Sequence, residues 1–228
     1  MGWIYRDSQG NETPFYGNSG FIYRDGQGNE IPLAGEPTYI TNGLVYYEDG
    51  KANNNAIISS NYNPSITLSS AGLTVELRYR ADSAAQNSFC GMHIGSNTPY
   101  IVANFSKETA RLGENSDYCL MPFVQYGSSS FTEDIISLDN LKFGDIHTYT
   151  VLMNNDTLEC YFDGVKTNLS HSGLSSSFAV NKIALMRRID RNDRNTVGKW
   201  YNARVYNRVL TASEIAANYA VDVSRYSW

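Results

Sequence analysis

The sequence has few cysteines and histidines and no long apolar run, and each shortage excludes a class of protein. It has 3 Cys and 3 His in 228 residues. No Cys-x-x-Cys pair and no two histidines at metal-ligand spacing occur, which argues against a zinc site. An odd number of cysteines cannot be wholly satisfied by internal disulfides, so Cys90, Cys119 and Cys160 are predicted to be core residues of a chain that folds in a reducing cytosol.

The chain also lacks targeting signals. No apolar stretch approaches the roughly 20 residues that a membrane helix needs. Residues 1–7 have neither a charged nor an apolar leader segment, so we predict no secretory signal and no membrane partner. With 18 Lys+Arg against 23 Asp+Glu and a net charge of -5, the chain has no basic run that could track phosphates. Nucleic acid is therefore excluded as the main partner.

Tyrosine, in contrast, is abundant, with 17 Tyr beside 9 Phe and 3 Trp. Tyrosine favours half-buried strands, and it also suits contacts with carbohydrate or protein because its ring is apolar and its hydroxyl is polar. The composition therefore agrees with a β-rich protein that binds carbohydrate or another protein.

Residues 1–36 contain an internal repeat. Residues 3–15 are echoed by residues 21–33, and each copy predicts a strand, a Gly-Asn turn and a second short strand that ends at proline. A lone hairpin is marginally stable in water, so another surface must cover the aromatic side chains. That surface is either the rest of this chain or a larger assembly. We predict that residues 1–36 are an anchoring or oligomerisation segment that acts through Trp3, Tyr5, Phe21 and Tyr23.

Residues 37–228 show the alternation of β-strands. Leu73, Val75, Leu77 and Tyr79 alternate with polar residues, which predicts a half-buried strand. Near the end, Thr211 and Glu214 are spaced as a capping box, followed by a short helix with Ile215 and Tyr219 inward. Several strands and one helix predict an all-β, antiparallel two-sheet sandwich.

Four segments resemble laminin-G-like, concanavalin-A-like jelly-roll domains. They are residues 42–47, 73–80, 158–165 and 204–219, and the resemblance extends over about residues 40–222. It implies a jelly-roll sandwich with one short C-terminal helix, preceded here by the hairpin repeat. Such sandwiches serve as lectins, adhesion modules, glycosidases and virion parts, so the resemblance leaves the function open.

A glycosidase on this fold needs two facing carboxylates. The related glucanases carry them on one strand as Glu-x-Asp-x-x-Glu, and no such run occurs here. The nearest acidic groupings are expected in loops or turns and are Glu48 with Asp49, Glu114 with Asp117, and Glu133 with Asp134. We therefore predict a protein that is not an enzyme, with a glycoside hydrolase of unrecognised catalytic pair as an alternative.

The most charged loop precedes the closing strand. Arginine forks and asparagine amides can hold sugar hydroxyls or carboxylates in pairs, and tyrosine faces can stack on pyranose rings. The predicted ligand-binding residues are Arg187, Arg188, Asp190, Arg191, Asn192, Asp193, Arg194, Tyr100 and Tyr126. The alternative is a solvated loop beside a core Trp200. No cofactor is predicted; calcium, which the loop's oxygens suit but its arginines oppose, is the alternative.

The chain resembles head-decoration, fibre or tail proteins of phages in its N-terminal repeat, its lack of a secretory signal and its unpaired cysteines. We therefore expect a non-enzymatic virion protein that folds in the host cytoplasm, forms a homo-oligomer and joins a capsid or tail through residues 1–36. Its lectin-like domain would display a site for a cell-surface glycan. A bacterial surface adhesion or carbohydrate-binding module is the alternative.

Overall fold

The structure is a computed structural model. It describes the short strands 4–6, 12–14, 22–24 and 30–32, and then residues 38–53, 57–59, 66–68, 72–83, 89–95, 100–106, 119–126, 130–133, 136–137, 142, 144–154, 157–171, 178–180, 182–187 and 197–226. The chain divides into two units, residues 1–38 and residues 39–228. Each is described separately.

The first unit contains two hairpins. Strand β1 (Ile4–Arg6) pairs antiparallel with β2 (Glu12–Pro14), and β3 (Ile22–Arg24) pairs in the same way with β4 (Glu30–Pro32). The predicted hairpin repeat is therefore confirmed, including the proline that ends each second strand. Trp3 and Phe21, and the side chains of Tyr5 and Tyr23, lie outside the described residues, so their anchoring role stays a prediction.

The second unit is built of strands and closes with a helix. Its elements are β5 (Leu44–Asn53), β6 (Ile57–Ser59), β7 (Ile66–Leu68), β8 (Leu73–Ser83), β9 (Phe89–Gly95), β10 (Tyr100–Ser106), β11 (Cys119–Tyr126), β12 (Ser130–Glu133), β13 (Ile136–Ser137), β14 (Ile146–Asn154), β15 (Thr157–Phe162), β16 (Val165–His171), β17 (Phe178–Val180), β18 (Lys182–Leu185), β19 (Val197–Tyr206) and α1 (Ala212–Arg225).

Two antiparallel sheets form the sandwich. The first, the six-stranded sheet, has the order β16-β15-β14-β8-β19-β5; the second has the order β12-β11-β10-β9-β18-β6, with β13 pairing β11. A small separate ladder joins β17 to β7. The predicted all-β antiparallel sandwich is confirmed.

The main core lies between the two sheets. Alternate residues of β8, including Val75 and Leu77, meet Met92 and Ile94 of β9 and Ile183 of β18. These side chains are almost completely removed from water, and burying each apolar side chain contributes about 1.5 to 3 kcal/mol. Trp200 belongs to the same cluster, as one of the two interpretations of this residue expects.

The predicted half-burial of β8 is wrong. Its polar residues Thr74, Glu76 and Arg78 are as buried as its apolar ones. They face away from the main core, but α1 and the segment before it cover that outer face of the six-stranded sheet. A second apolar cluster, with Leu210 and Ile215 at its centre, seals this covered face.

The expected loop at Glu48 and Asp49 is wrong. Both residues continue strand β5, in which Asp49 pairs with Asn202 and Asn53 pairs with Trp200. Pairing with β19 outweighs the weak strand propensity of these residues. Glu133 likewise ends β12 rather than lying in a loop.

The helix begins as predicted, but its buried face is more polar. Thr211 Oγ1 accepts a hydrogen bond from Glu214 N at 3.3 Å, and Glu214 Oε2 accepts one from Thr211 N at 2.8 Å. The capping box is therefore confirmed. Ile215 is buried as expected, but Tyr219 is only half-buried, and Asn218 and Asp222 take the central positions against the sheet.

Candidate functional site

A fully buried arginine lies at the centre of the covered face. Arg204 Nε donates to Glu76 Oε2 at 2.8 Å, while Nη1 and Nη2 donate to Asp222 Oδ1 and Oδ2 at 2.7 and 2.9 Å. The second contact is the two-pronged geometry in which a guanidinium binds a carboxylate most strongly. None of the three side chains is more than 1% exposed.

Amides and hydroxyls complete the network. Asn218 Nδ2 donates to Glu76 Oε2 at 2.7 Å and Asn202 Nδ2 donates to Asp222 Oδ1 at 2.8 Å. Thr148 Oγ1 donates to Asp222 Oδ2 at 2.9 Å and accepts from Arg78 Nη1 at 3.2 Å. The two guanidiniums of Arg78 and Arg204 therefore offset the charges of the two carboxylates, which is how buried charges are tolerated.

The network fixes the protonation of its members. Burial raises the pKa of Glu76 against the opposing charge of Arg204. Burial also acts to raise the pKa of Asp222, but Arg204 and the donors around it outweigh burial and hold the pKa below its usual range. Neither carboxylate is accessible to a substrate, so this cluster stabilises the fold rather than serving as an acid–base pair.

A histidine and an aspartate form a separate pair at the Asp163-Gly164 turn. His147 Nδ1 lies 2.8 Å from Asp163 Oδ2, and Thr148 N donates to Asp163 Oδ1 at 2.8 Å. The imidazole packs on Phe162 with ring centroids 4.6 Å apart. Within the described residues its Nε2 is buried without a hydrogen-bond partner. The Asp163 carboxylate, which contacts both His147 Nδ1 and Thr148 N, braces the turn.

The residues of the buried network are visible in the sequence as polar positions, but the sequence does not show that they are buried. Glu76 and Arg204 stand on the polar side of alternating strands, and Asn218 and Asp222 share a helical face with Ile215. Polar residues on a strand normally indicate a solvated face. Only the position of α1 over the sheet shows that these polar faces meet one another.

The predicted ligand-binding residues are partly outside the described structure. Arg187 is half-buried and follows β18. The other loop residues, Arg188, Asp190, Arg191, Asn192, Asp193 and Arg194, lie outside the described residues. Their role in binding stays a prediction.

Tyr100 begins β10 and Tyr126 ends β11, which are neighbouring strands of the second sheet. Tyr100 pairs with Gln125, the residue before Tyr126. The side chains of both tyrosines lie outside the described residues, so their role in binding stays a prediction.

Two further properties concern the described residues only. Among them, no three His, Cys, Asp or Glu side chains are grouped as a metal site requires. No helix in this part of the chain combines the length and apolarity needed to span a membrane. The carboxylates and arginines of the loop at residues 188–195, where calcium was the alternative, fall outside this description.

Comparison with known proteins identifies the fold. A family model described as "Concanavalin A-like lectin/glucanases superfamily" matches residues 51–216. Domain 4 of an extracellular arabinanase from Geobacillus stearothermophilus, in complex with arabinotriose, superposes with a TM-score of 0.51 and 14% identity. The match covers 76% of this chain and 96% of that domain. No curated protein sequence matches this chain.

Two other similar structures are a neurotoxin domain and a pentraxin. The ligand binding domain of botulinum neurotoxin serotype D, in complex with N-acetylneuraminic acid, has a TM-score of 0.57 at 11% identity, over 91% of this chain and 52% of that one. A heptameric SAP-like pentraxin from Limulus polyphemus has a TM-score of 0.50 at 13% identity, over 72% and 81%. This chain therefore spans about half the length of the neurotoxin domain.

Proposed function

Because the chain belongs to the concanavalin A-like lectin/glucanase superfamily, we propose that it is a non-enzymatic, lectin-like domain that binds a glycan. The family includes both binding and hydrolysing proteins. The two are distinguished by whether a pair of accessible carboxylates faces the substrate. A glycosidase needs two of them about 5 to 10 Å apart across an accessible groove. Glu76 and Asp222 are enclosed and held by Arg204, and this observation carries the proposal.

The one other described acidic pair among the sequence candidates is also unsuited to catalysis. Glu48 and Asp49 are consecutive residues of β5. Consecutive strand residues point to opposite faces of a sheet, so the two carboxylates do not face a common substrate. Similar folds in complex with arabinotriose and with N-acetylneuraminic acid support a sugar as the ligand.

The glycan is proposed to bind at the loop of residues 187–194, with Tyr100 and Tyr126 as further candidates. The covered face of the six-stranded sheet is closed by α1, which directs a ligand to other surfaces. The three arginines of the loop outside the described residues can donate paired hydrogen bonds to hydroxyls or to a carboxylate.

The domain is further proposed to be displayed on a virion and held there by residues 1–36. The division of the chain at residue 38 supports this proposal, since the hairpin repeat forms a unit of its own. A bacterial surface module remains the alternative, and it is favoured if the chain does not associate with phage particles.

A glycan array tests the binding proposal directly. The full chain is expected to retain a defined set of glycans, including arabinose- or N-acetylneuraminic-acid-terminated probes. The double variant Arg191→Ala/Arg194→Ala should bind the retained glycan at least about tenfold more weakly, because charge-assisted hydrogen bonds are lost. Lys166→Ala, which removes an exposed charge on β16, is the matched control and should bind normally.

Two results would overturn the proposal. One is an array on which no glycan is retained. The other is steady release of reducing ends from a polysaccharide, which would establish an enzyme instead.

A further inference from the structure

A second polar and aromatic surface lies where the edge strand β5 meets the end of α1. Tyr47 pairs with Arg204 and Asp49 pairs with Asn202, so both belong to the face of the six-stranded sheet that α1 covers. At the edge the cover ends, and Tyr47 is 38% exposed. We call Tyr47, Asp49 and Arg225 the edge patch.

The Tyr47 ring is backed by a rigid support. Its centroid lies 5.7 Å from that of Tyr39, in a tilted arrangement. Tyr39 is buried, its ring lies under the Arg204 guanidinium at 4.1 Å, and its hydroxyl accepts from Asn202 Nδ2 at 3.0 Å. A ring supported in this way loses little conformational freedom when a ligand stacks on it.

Arg225 is exposed but oriented. Its guanidinium lies 4.9 Å from the Tyr39 ring centroid. Stacking on a ring fixes the plane of a guanidinium without using its N–H groups. Arg225 is an exposed residue, and within the part of the chain that the structure describes no hydrogen bond involves its guanidinium.

Asp49 supplies an acceptor beside them. The Tyr226 hydroxyl donates to Asp49 Oδ1 at 3.0 Å, which fixes the orientation of the exposed carboxylate. Burial raises the pKa of Tyr47, with Asp49 raising it further and Arg225 lowering it, because both charges act on the same phenol. The edge patch thus combines a ring and a guanidinium that both pack on Tyr39 with a carboxylate held by Tyr226.

We propose that the edge patch is a binding subsite for a neutral pyranose, with the apolar C–H face of the sugar on Tyr47 and neighbouring hydroxyls bonded to Asp49 and Arg225. A pyranose has an apolar face that packs on an aromatic ring and hydroxyls that bond to paired polar groups. A neutral sugar is expected because the Asp49 carboxylate and the Arg225 guanidinium offset each other, which leaves the patch without net charge. The inference rests on the proposed glycan-binding function but assigns a site separate from residues 187–194.

Saturation-transfer NMR on the full chain tests the subsite. The probes are glucose, galactose, mannose and N-acetylglucosamine, each compared with N-acetylneuraminic acid. At least one neutral sugar should give transfer, and its affinity should fall by about tenfold or more in Tyr47→Ala, the scale of a lost stacking contact and its neighbouring hydrogen bonds. Arg225→Ala should weaken it too, whereas Tyr47→Phe should keep most of it.

Val165→Ala is the matched control, since Val165 is 70% exposed on β16 at the opposite edge of the same sheet. Unchanged binding of the neutral sugar in Tyr47→Ala, or no transfer to any neutral probe, overturns the inference. Tighter binding of the acidic sugar overturns it only if that binding is lost in Tyr47→Ala and retained in Arg191→Ala/Arg194→Ala. If transfer survives in Tyr47→Ala but disappears in Arg191→Ala/Arg194→Ala, the subsite is wrong while the proposed function stands.

Discussion

At the scale of single residues, Arg204 determines how the covered face is built. Its fork binds Asp222 with two hydrogen bonds while its Nε binds Glu76, so one side chain links β8, β19 and α1. A lysine carries the same charge but lacks the planar arrangement of donors. The two carboxylates raise the pKa of Arg204 well above its ordinary value against the effect of burial, so the charge is permanent.

Removing one partner should therefore be costly. In Asp222→Asn, the Arg204 and Arg78 charges stay buried with only Glu76 to offset them, and we expect unfolding to become easier by about 3 to 5 kcal/mol. Urea denaturation followed by circular dichroism measures this change. Val223→Ala, at the exposed neighbouring position, is the control and should shift stability by about 0.5 kcal/mol or less.

An Asp222→Asn variant as stable as the original chain would mean that Arg204 is not paired as described. The double variant Asp222→Asn/Arg204→Met tests separately whether Arg204 and Asp222 form a pair. If the pair exists, the double variant recovers part of the lost stability, because no unpaired charge from this contact remains.

At the scale of elements, α1 acts as a cover whose start is fixed by charge. Arg208 Nη2 lies 2.6 Å from Glu214 Oε1, and Glu214 also accepts from the Thr211 backbone. These hydrogen bonds, Arg208 first, lower the pKa of Glu214 to about 2 from its ordinary 4.5. The carboxylate thus ties the connection after β19 to the first turn of the helix.

This pKa gives a pH dependence with a definite sign. The folded-state pKa lies below the unfolded one, so the stabilisation is complete above about pH 4.5 and is lost as the pH falls towards 2. Glu214→Gln should cost about 1 kcal/mol at pH 7, since the pair is partly exposed, and the difference from the original chain should shrink towards pH 2. Denaturation at both pH values measures it.

The exposed pair of Lys166 and Glu159 provides the comparison. Glu159→Gln removes an ion pair at the surface that has no capping role, and it should change stability by less than about 0.5 kcal/mol. A Glu214→Gln cost that is the same at pH 7 and pH 2 would contradict the assigned ion pair.

At the scale of the whole molecule, the chain consists of a short hairpin unit and a large sandwich. All described members of the core between the sheets and of the buried network lie in residues 39–228. We therefore expect the sandwich to stay folded when the repeat is deleted. An assembly held together by residues 1–36 should dissociate.

Deleting residues 1–37 separates these roles. The shortened chain should keep the circular dichroism spectrum of a β-sandwich and a similar thermal midpoint. Sedimentation should show a smaller oligomer than the full chain forms, if residues 1–36 hold the assembly together. The same oligomer with and without the repeat would argue against the anchoring segment.

The sequence by itself determined the class of fold, because alternation, turns and caps are local. Leu73 to Tyr79 alternate as a strand, and Thr211 with Glu214 begins the helix. Asp163 and Gly164, an Asp-Gly pair typical of hairpins, form a turn with positive φ at both residues. The hairpin repeat is equally visible. Each of these patterns involves residues a few positions apart.

Tertiary structure alone decided what the polar residues do. Glu76 and Asn218 are 142 positions apart, and Arg204 and Glu76 are 128 apart, yet they share hydrogen bonds. No local period distinguishes a strand face covered by a helix from one covered by water. Burial under α1 turned an apparently solvated row into a charge network, and the end of that cover at β5 left Tyr47 exposed beside Arg225.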